Sequence, residues 1–180
     1  MIAPSPLLPV LVLVGLGLAF AFNTRRVATR IGRSPNTFGR SDTAHDFVGR
    51  VYRIGGGVLF VFMVARIAGL EVDAAAGVIP WLAHPLLAWA GLAVMITGSG
   101  VILVAQVQMG ASWRIGLDAS RTALATDGLF RVSRNPTFLG MVGLVFGAVL
   151  LAPTALTFGV LVAAWIAFSV QIRLEEEHLK

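Results

Sequence analysis

The final stretch of this 180-residue chain reads Gln171-Ile172-Arg173-Leu174-Glu175-Glu176-Glu177. At the end of a helix, three adjacent carboxylates oppose the macrodipole, whose C-terminus already carries partial negative charge. The cluster is therefore either a solvated polar end or a set of carboxylates kept to hold a cationic ligand group. In the second reading Arg173, one turn before Glu177, takes an anionic group. Arg134-Asn135-Pro136 is the other candidate. Proline is tolerated in the first turn of a helix, so Pro136 opens one, and the unpaired N–H groups there favour an anionic ligand group. The 27 residues from Met109 to Asn135 are too many for a simple connector. Trp113, Leu124, Leu129 and Phe130 among Gly110, Gly116 and Gly128 argue for a folded cap.

What must position these groups follows from composition. The chain is 57% hydrophobic and 13% charged, with a mean hydropathy of +0.83. A soluble domain carries about 25% charged residues, so this chain cannot coat a globule in water, nor is it disordered. The absence of cysteine rules out disulfides, thiolate metal sites and cysteine nucleophiles. His45, His84 and His178 show no metal-ligand spacing. The net charge of +5 fits arginine at the cytoplasmic leaflet rather than nucleic acid. An integral membrane protein is expected.

Five apolar runs stand out: Leu7–Phe22, Ile54–Val72, Leu86–Val107, Thr137–Ala152 and Thr154–Ile172. The expected fold is an all-α membrane bundle of five transmembrane helices with a cytoplasmic cap loop. Its last two helices form a short hairpin that turns at Pro153. All of 1–180 is read as one membrane domain, with helices one to three in 1–105 and the candidate site in 106–180. Ala19-Phe20-Ala21 resembles a signal-peptidase site, but Arg25 and Arg26 follow the apolar run instead of preceding it, so the first run is read as a retained helix. Segment 23–53 holds seven arginines against two aspartates, and segment 109–135 four against two. Arginine marks the cytoplasmic side. That places the N-terminus outside, and the C-terminus and candidate site inside, in a plasma or inner membrane.

Within the spans, Arg66 is the one interior charge, read as snorkelling outward to Glu71 or Asp73. Gly55, Gly56 and Gly57, and the Gly143-x-x-x-Gly147 spacing, are read as points of close helix approach. His84 and His45 are read as structural and solvated, respectively.

The C-terminal half carries Gly110-x-x-Trp113-Arg114-x-Gly116, then Leu124-x-Thr126-x-Gly128-Leu129-Phe130-Arg131-x-x-Arg134-Asn135-Pro136-x-Phe138-Leu139-Gly140, then the proline-centred hairpin and Arg173-x-Glu175-Glu176-Glu177. Over about residues 106–180 this resembles the isoprenylcysteine carboxyl methyltransferase family and the wider group that includes the phospholipid N-methyltransferases. The resemblance implies a methyltransferase using S-adenosylmethionine on a lipophilic or membrane-associated acceptor, either a prenylcysteine-like carboxylate or a lipid amine. It implies cofactor contacts at Thr122, Ala123, Leu124 and Ala125, at Phe130, at Arg134, Asn135, Pro136, Thr137 and Phe138, and at Glu176 and Glu177. Arg173 becomes the substrate-side catalytic arginine, and no metal is required. Two positions depart from the prenylcysteine pattern. Asn135 replaces histidine and cannot titrate near neutrality, and Phe138 replaces tyrosine and lacks its hydroxyl. Both weigh against a prenylcysteine acceptor. Two alternatives stay open: an NADPH-dependent membrane reductase with a similar C-terminal half, and a non-enzymatic membrane scaffold.

Overall fold

The computed structural model describes residues 2–32, 34, 43–110 and 127–178, excepting the side chains of His45 and of residues 174–178. Its long elements are helices α1 (Leu7–Ile31), α2 (Ala44–Ile67), α4 (Pro85–Met109), α5 (Pro136–Leu151) and α6 (Ala155–His178), with a single-turn helix α3 (Val72–Ala75) between α2 and α4. Among the described residues, strand pairing is limited to one isolated bridge between Val78 and Thr154. The chain is an all-helical integral membrane protein. Helices α1, α2, α4 and α6 are long and apolar enough to cross a bilayer, and α5 is a shorter apolar helix. At 16 residues, α5 reaches roughly 24 Å.

The apolar runs set where each helix enters lipid but not where it stops. α1 runs past Phe22 through Arg25, Arg26 and Arg30, and ends where Gly32 adopts a left-handed φ of 70°. α2 starts at Ala44 rather than Ile54; Thr43 precedes it, and the Thr43 hydroxyl accepts from the Asp46 N–H at 3.2 Å. The basic segment is thus largely helical at both ends, because arginine is a good helix former and neither stretch holds an interior proline. Likewise α6 continues through the carboxylate run to His178.

α4 and α5 form the tightest contact. A methyl group built on Gly91 would lie 2.5 Å from the Gly147 carbonyl oxygen, and one on Gly98 2.6 Å from that of Gly140. Lipid tails are as apolar as leucine, so close backbone approach, rather than hydrophobic burial, holds such helices together. The working pair on α5 is Gly140 and Gly147, seven residues apart, matching Gly91 and Gly98 on α4. The expected Gly143-x-x-x-Gly147 motif contributes only Gly147, because Gly143 faces ordinary van der Waals space. Gly56 and Gly57 meet nothing within 4 Å, and Gly55 only a Val160 methyl at 3.7 Å, so they are not the tight contact expected of them.

The corner between α5 and α6 is Ala152-Pro153-Thr154. Thr154 and Thr157 cap α6 reciprocally, each hydroxyl accepting from the other's backbone N–H at 3.2 Å. The loop after α3 docks on this corner, with Ile79 N–H donating to the Pro153 carbonyl and Ala155 N–H to that of Gly77, both at 2.8 Å. Arg66 Nε donates to Asp73 at 2.9 Å, so the arginine turns outward as expected. Met63, Met95, Ile102 and Ala148 fill the interior, while Leu18, Phe22, Val61, Trp165 and Ile166 are exposed and form a lipid-facing surface.

Candidate functional site

Three contacts show which helix ends meet. Trp89 Nε1, near the start of α4, donates to the Ile2 carbonyl at 3.0 Å, setting the beginning of α1 beside it. Phe138 of α5 and Tyr52 of α2 both pack on Phe168 of α6, with centroids 5.4 and 5.1 Å apart. The ends of α1, α4 and α6 and the starts of α2 and α5 therefore share one end of the bundle. Arg25, Arg26 and Arg30, Arg50 and Arg53, and Arg131, Arg134 and Arg173 all belong to those segments.

At this end Pro136 occupies the first helical position of α5, with Asn135 before it outside the helical region at φ −133° and ψ 65°. A residue that precedes proline is driven out of the helical region. Asn135 N–H donates to the Ser133 hydroxyl at 3.2 Å, while its side chain makes no capping bond. Phe130 lies in a 3-10 turn, Gly128–Arg131. This turn is tied to the end of α4 by the Gln108 side-chain oxygen, which accepts from Leu129 N–H at 2.9 Å. Gly128 takes φ 61° there, a value glycine adopts without strain.

From the Phe138–Phe168 contact, α5 has only to reach Pro136 whereas α6 runs on to His178. The last eight or so residues of α6 thus overhang α5 by roughly 12 Å. Arg173, Glu176 and Glu177 lie on that overhang, at the same end as Asn135. Arg134 and Arg173 are exposed, Asn135, Thr137 and Phe138 half-buried, and Pro136 buried. Thr122, Ala123, Leu124 and Ala125 lie outside the described residues, as do the side chains of Glu176 and Glu177.

The structure adds two residues that the sequence reading passed over. Gln106 of α4 and Gln171 of α6 are each only 1% exposed. The antiparallel register that pairs Gly91 with Gly147 and Gly98 with Gly140 brings Gln106 level with the residues that immediately precede α5, Val132 to Asn135. The Phe138–Phe168 contact brings Gln171 level with Asn135. Three carboxamides from three helices therefore occupy one layer. The available signal was a glutamine inside an apolar helix, since polar groups at membrane depth are costly and mark functional sites. A cleft of about 220 Å³ lies at the opposite end, between Arg66, Asp73, His84 and the α5–α6 corner.

The phospholipid methyltransferase family matches residues 86–180, which is more than half of the chain. The chain belongs to that family. The match begins at α4, earlier than the sequence motifs indicated, and so takes in every helix of the carboxamide layer. No curated protein and no solved structure matches the chain. As a member of the phospholipid methyltransferases the protein is a membrane methyltransferase, which sets aside the reductase and scaffold alternatives.

Proposed function

We propose that the protein transfers a methyl group from S-adenosylmethionine to a lipophilic acceptor held in the bilayer, with a lipid amine favoured over a prenylcysteine carboxylate. The reading rests chiefly on one observation. The family match spans the helices whose ends assemble Asn135, Phe138 and the overhanging Arg173–Glu177 at the arginine-rich end. The residues fit such a cofactor. A buried Gln106 amide has neither atom hydrogen-bonded among the described residues, the Phe138–Phe168 pair lies at the same end of the bundle, and Arg131, Arg134 and Arg173 belong to the segments of that end.

Bound there, S-adenosylmethionine would supply a sulfonium methyl for in-line displacement. The chain's own residues then bind and orient. Glu176 and Glu177 would hold the ammonium, Arg134 and the first turn of α5 the carboxylate, and Phe130 with Phe138 would supply an apolar wall. Thr122–Ala125, which lie outside the described residues, are proposed as further cofactor contacts on the family resemblance alone. Arg173 orients the acceptor's anionic group by a charge-assisted pair. Charge disperses in this displacement, so positioning and exclusion of water matter more than proton transfer. A lipid amine attacks as the free base, having released its ammonium proton to solvent before the N–CH3 bond forms and the S–CH3 bond breaks, because Asn135 cannot titrate. The short α5 completes a fifth crossing beside α4. By the positive-inside rule, the arginine-rich end faces the cytoplasm.

Calorimetric titration of purified protein with S-adenosylhomocysteine tests this reading. Binding by the wild type is expected, with a loss of roughly ten-fold or more in a Glu176→Ala/Glu177→Ala variant, since a hydrogen bond to a charged group is worth about 1.5–3 kcal/mol. No binding by the wild type overturns the cofactor assignment.

A further inference from the structure

Gln106 combines two properties that rarely coexist. Its side chain is buried, at 1% exposure, and neither Nε2 nor Oε1 has a hydrogen-bond partner among the described residues. Buried side-chain polar atoms are nearly always paired, and each exception calls for an explanation. Packing that leaves the residue 1% exposed keeps solvent from offsetting the cost. The other buried polar side chain of α4, Ser99, makes a local bond, donating to the Met95 carbonyl at 2.8 Å. Gln106 lies on the buried stripe that runs through Met95, Gly98, Ser99 and Ile102. One turn beyond Ile102, which contacts Gly140, this stripe passes the first residue of α5 and reaches the level of the segment before it, which ends in Asn135.

An unpaired carboxamide offers one donor and one acceptor side by side and no charge. Phosphates, ammonium and carboxylate groups ask for charge of one sign, which the surrounding arginines and the overhanging carboxylates supply. A neutral ligand edge with an adjacent donor and acceptor is what the amide complements, and adenine carries one at N6–H and N7. We propose that Gln106 binds the adenine edge of the nucleoside cofactor, with Oε1 accepting from the exocyclic amino group and Nε2 donating to the neighbouring ring nitrogen. This rests on the S-adenosylmethionine reading above and adds a base-selective contact to it.

The test compares S-adenosylhomocysteine with S-inosylhomocysteine, in which a carbonyl replaces the amino group, by calorimetry on the full-length protein. Thermal unfolding of the ligand-free protein is measured in parallel. The wild type is expected to prefer the adenosyl ligand by roughly ten- to a hundred-fold, the discrimination typical of a bidentate amide–base contact. In Gln106→Met that preference collapses toward one, while the unfolding midpoint stays level or rises, because an unpaired amide has been replaced by an apolar group of like shape. Equal wild-type affinities for the two ligands overturn the proposal even if the variant does not fold. So does a Gln106→Met variant that keeps the preference, including one that weakens both ligands equally. A lower unfolding midpoint with unchanged binding also overturns it, by making the amide structural. Failure of the wild type to bind either ligand would instead sink the cofactor reading itself.

Discussion

Gly98 and Gly140 meet backbone to backbone across α4 and α5, so that a methyl group on Gly140 would stand 2.7 Å from the Gly98 carbonyl oxygen. The obstacle on each side is main chain, which cannot rotate away as a side chain can. Two helices are thereby held at a fixed distance, and the register that levels Gln106 with the residues immediately preceding α5 follows from it.

Gly98→Ala is therefore expected to destabilise the fold by about 1–3 kcal/mol, the usual cost of overpacking, despite alanine's better helix propensity. Gly56→Ala and Gly57→Ala, where nothing lies within 4 Å, should be neutral or stabilising by up to about 1 kcal/mol. Unfolding in mixed micelles, run on all three variants, checks the contrast. Equal effects would show that the glycine contact does not set the α4–α5 distance.

Thr157 is wholly buried, and its hydroxyl donates to the Ala152 carbonyl at 2.8 Å while accepting from Thr154 N–H. Thr157→Val keeps the shape and leaves those groups unpaired, so a loss of about 1–3 kcal/mol is expected. The same unfolding assay reads it, and a change below about 0.5 kcal/mol would count against the capped corner as a stabilising element.

The Arg66–Asp73 pair is 20% and 44% exposed on its two sides and lies at the other end of the bundle from Asn135. Asp73→Asn should cost less than about 1 kcal/mol, as for solvent-screened pairs, and leave methyl transfer unchanged. A large loss of turnover with intact folding would mean that the cleft at this end takes part in the reaction.

Arg173 is exposed on the α6 overhang. Arg173→Ala is expected to raise KM for the acceptor by roughly ten-fold or more, in line with loss of a charge-assisted bond, while S-adenosylhomocysteine affinity changes little. Kinetics with acceptor and cofactor varied separately make the distinction. A shift confined to the cofactor would reassign the arginine.

Much of the site's anatomy was legible in residue types. Pro136 announced the start of α5, Pro153 its end, and Arg66 its outward turn, because each depends on covalent geometry or on one charge in lipid. The arginine-rich helix ends were harder to place. Apolar runs report where lipid begins, while a helix of Arg25, Arg26 and Arg30 persists beyond it until Gly32 stops it.

Local chemistry and composition thus determined a membrane-embedded helical chain of this family, with its candidate motifs grouped after residue 106. Tertiary structure alone decided which glycines touch and which polar residues lie inside. Gly143 and Gly140 are equivalent in sequence, and only the rotation of α5 against α4 selects Gly140. Gln106 reads as one polar residue in an apolar span until packing of several helices buries its amide with no partner among the described residues. Contacts between helices depend on relative rotation and register, which are set by the sum of many weak dispersion terms rather than by any residue taken singly.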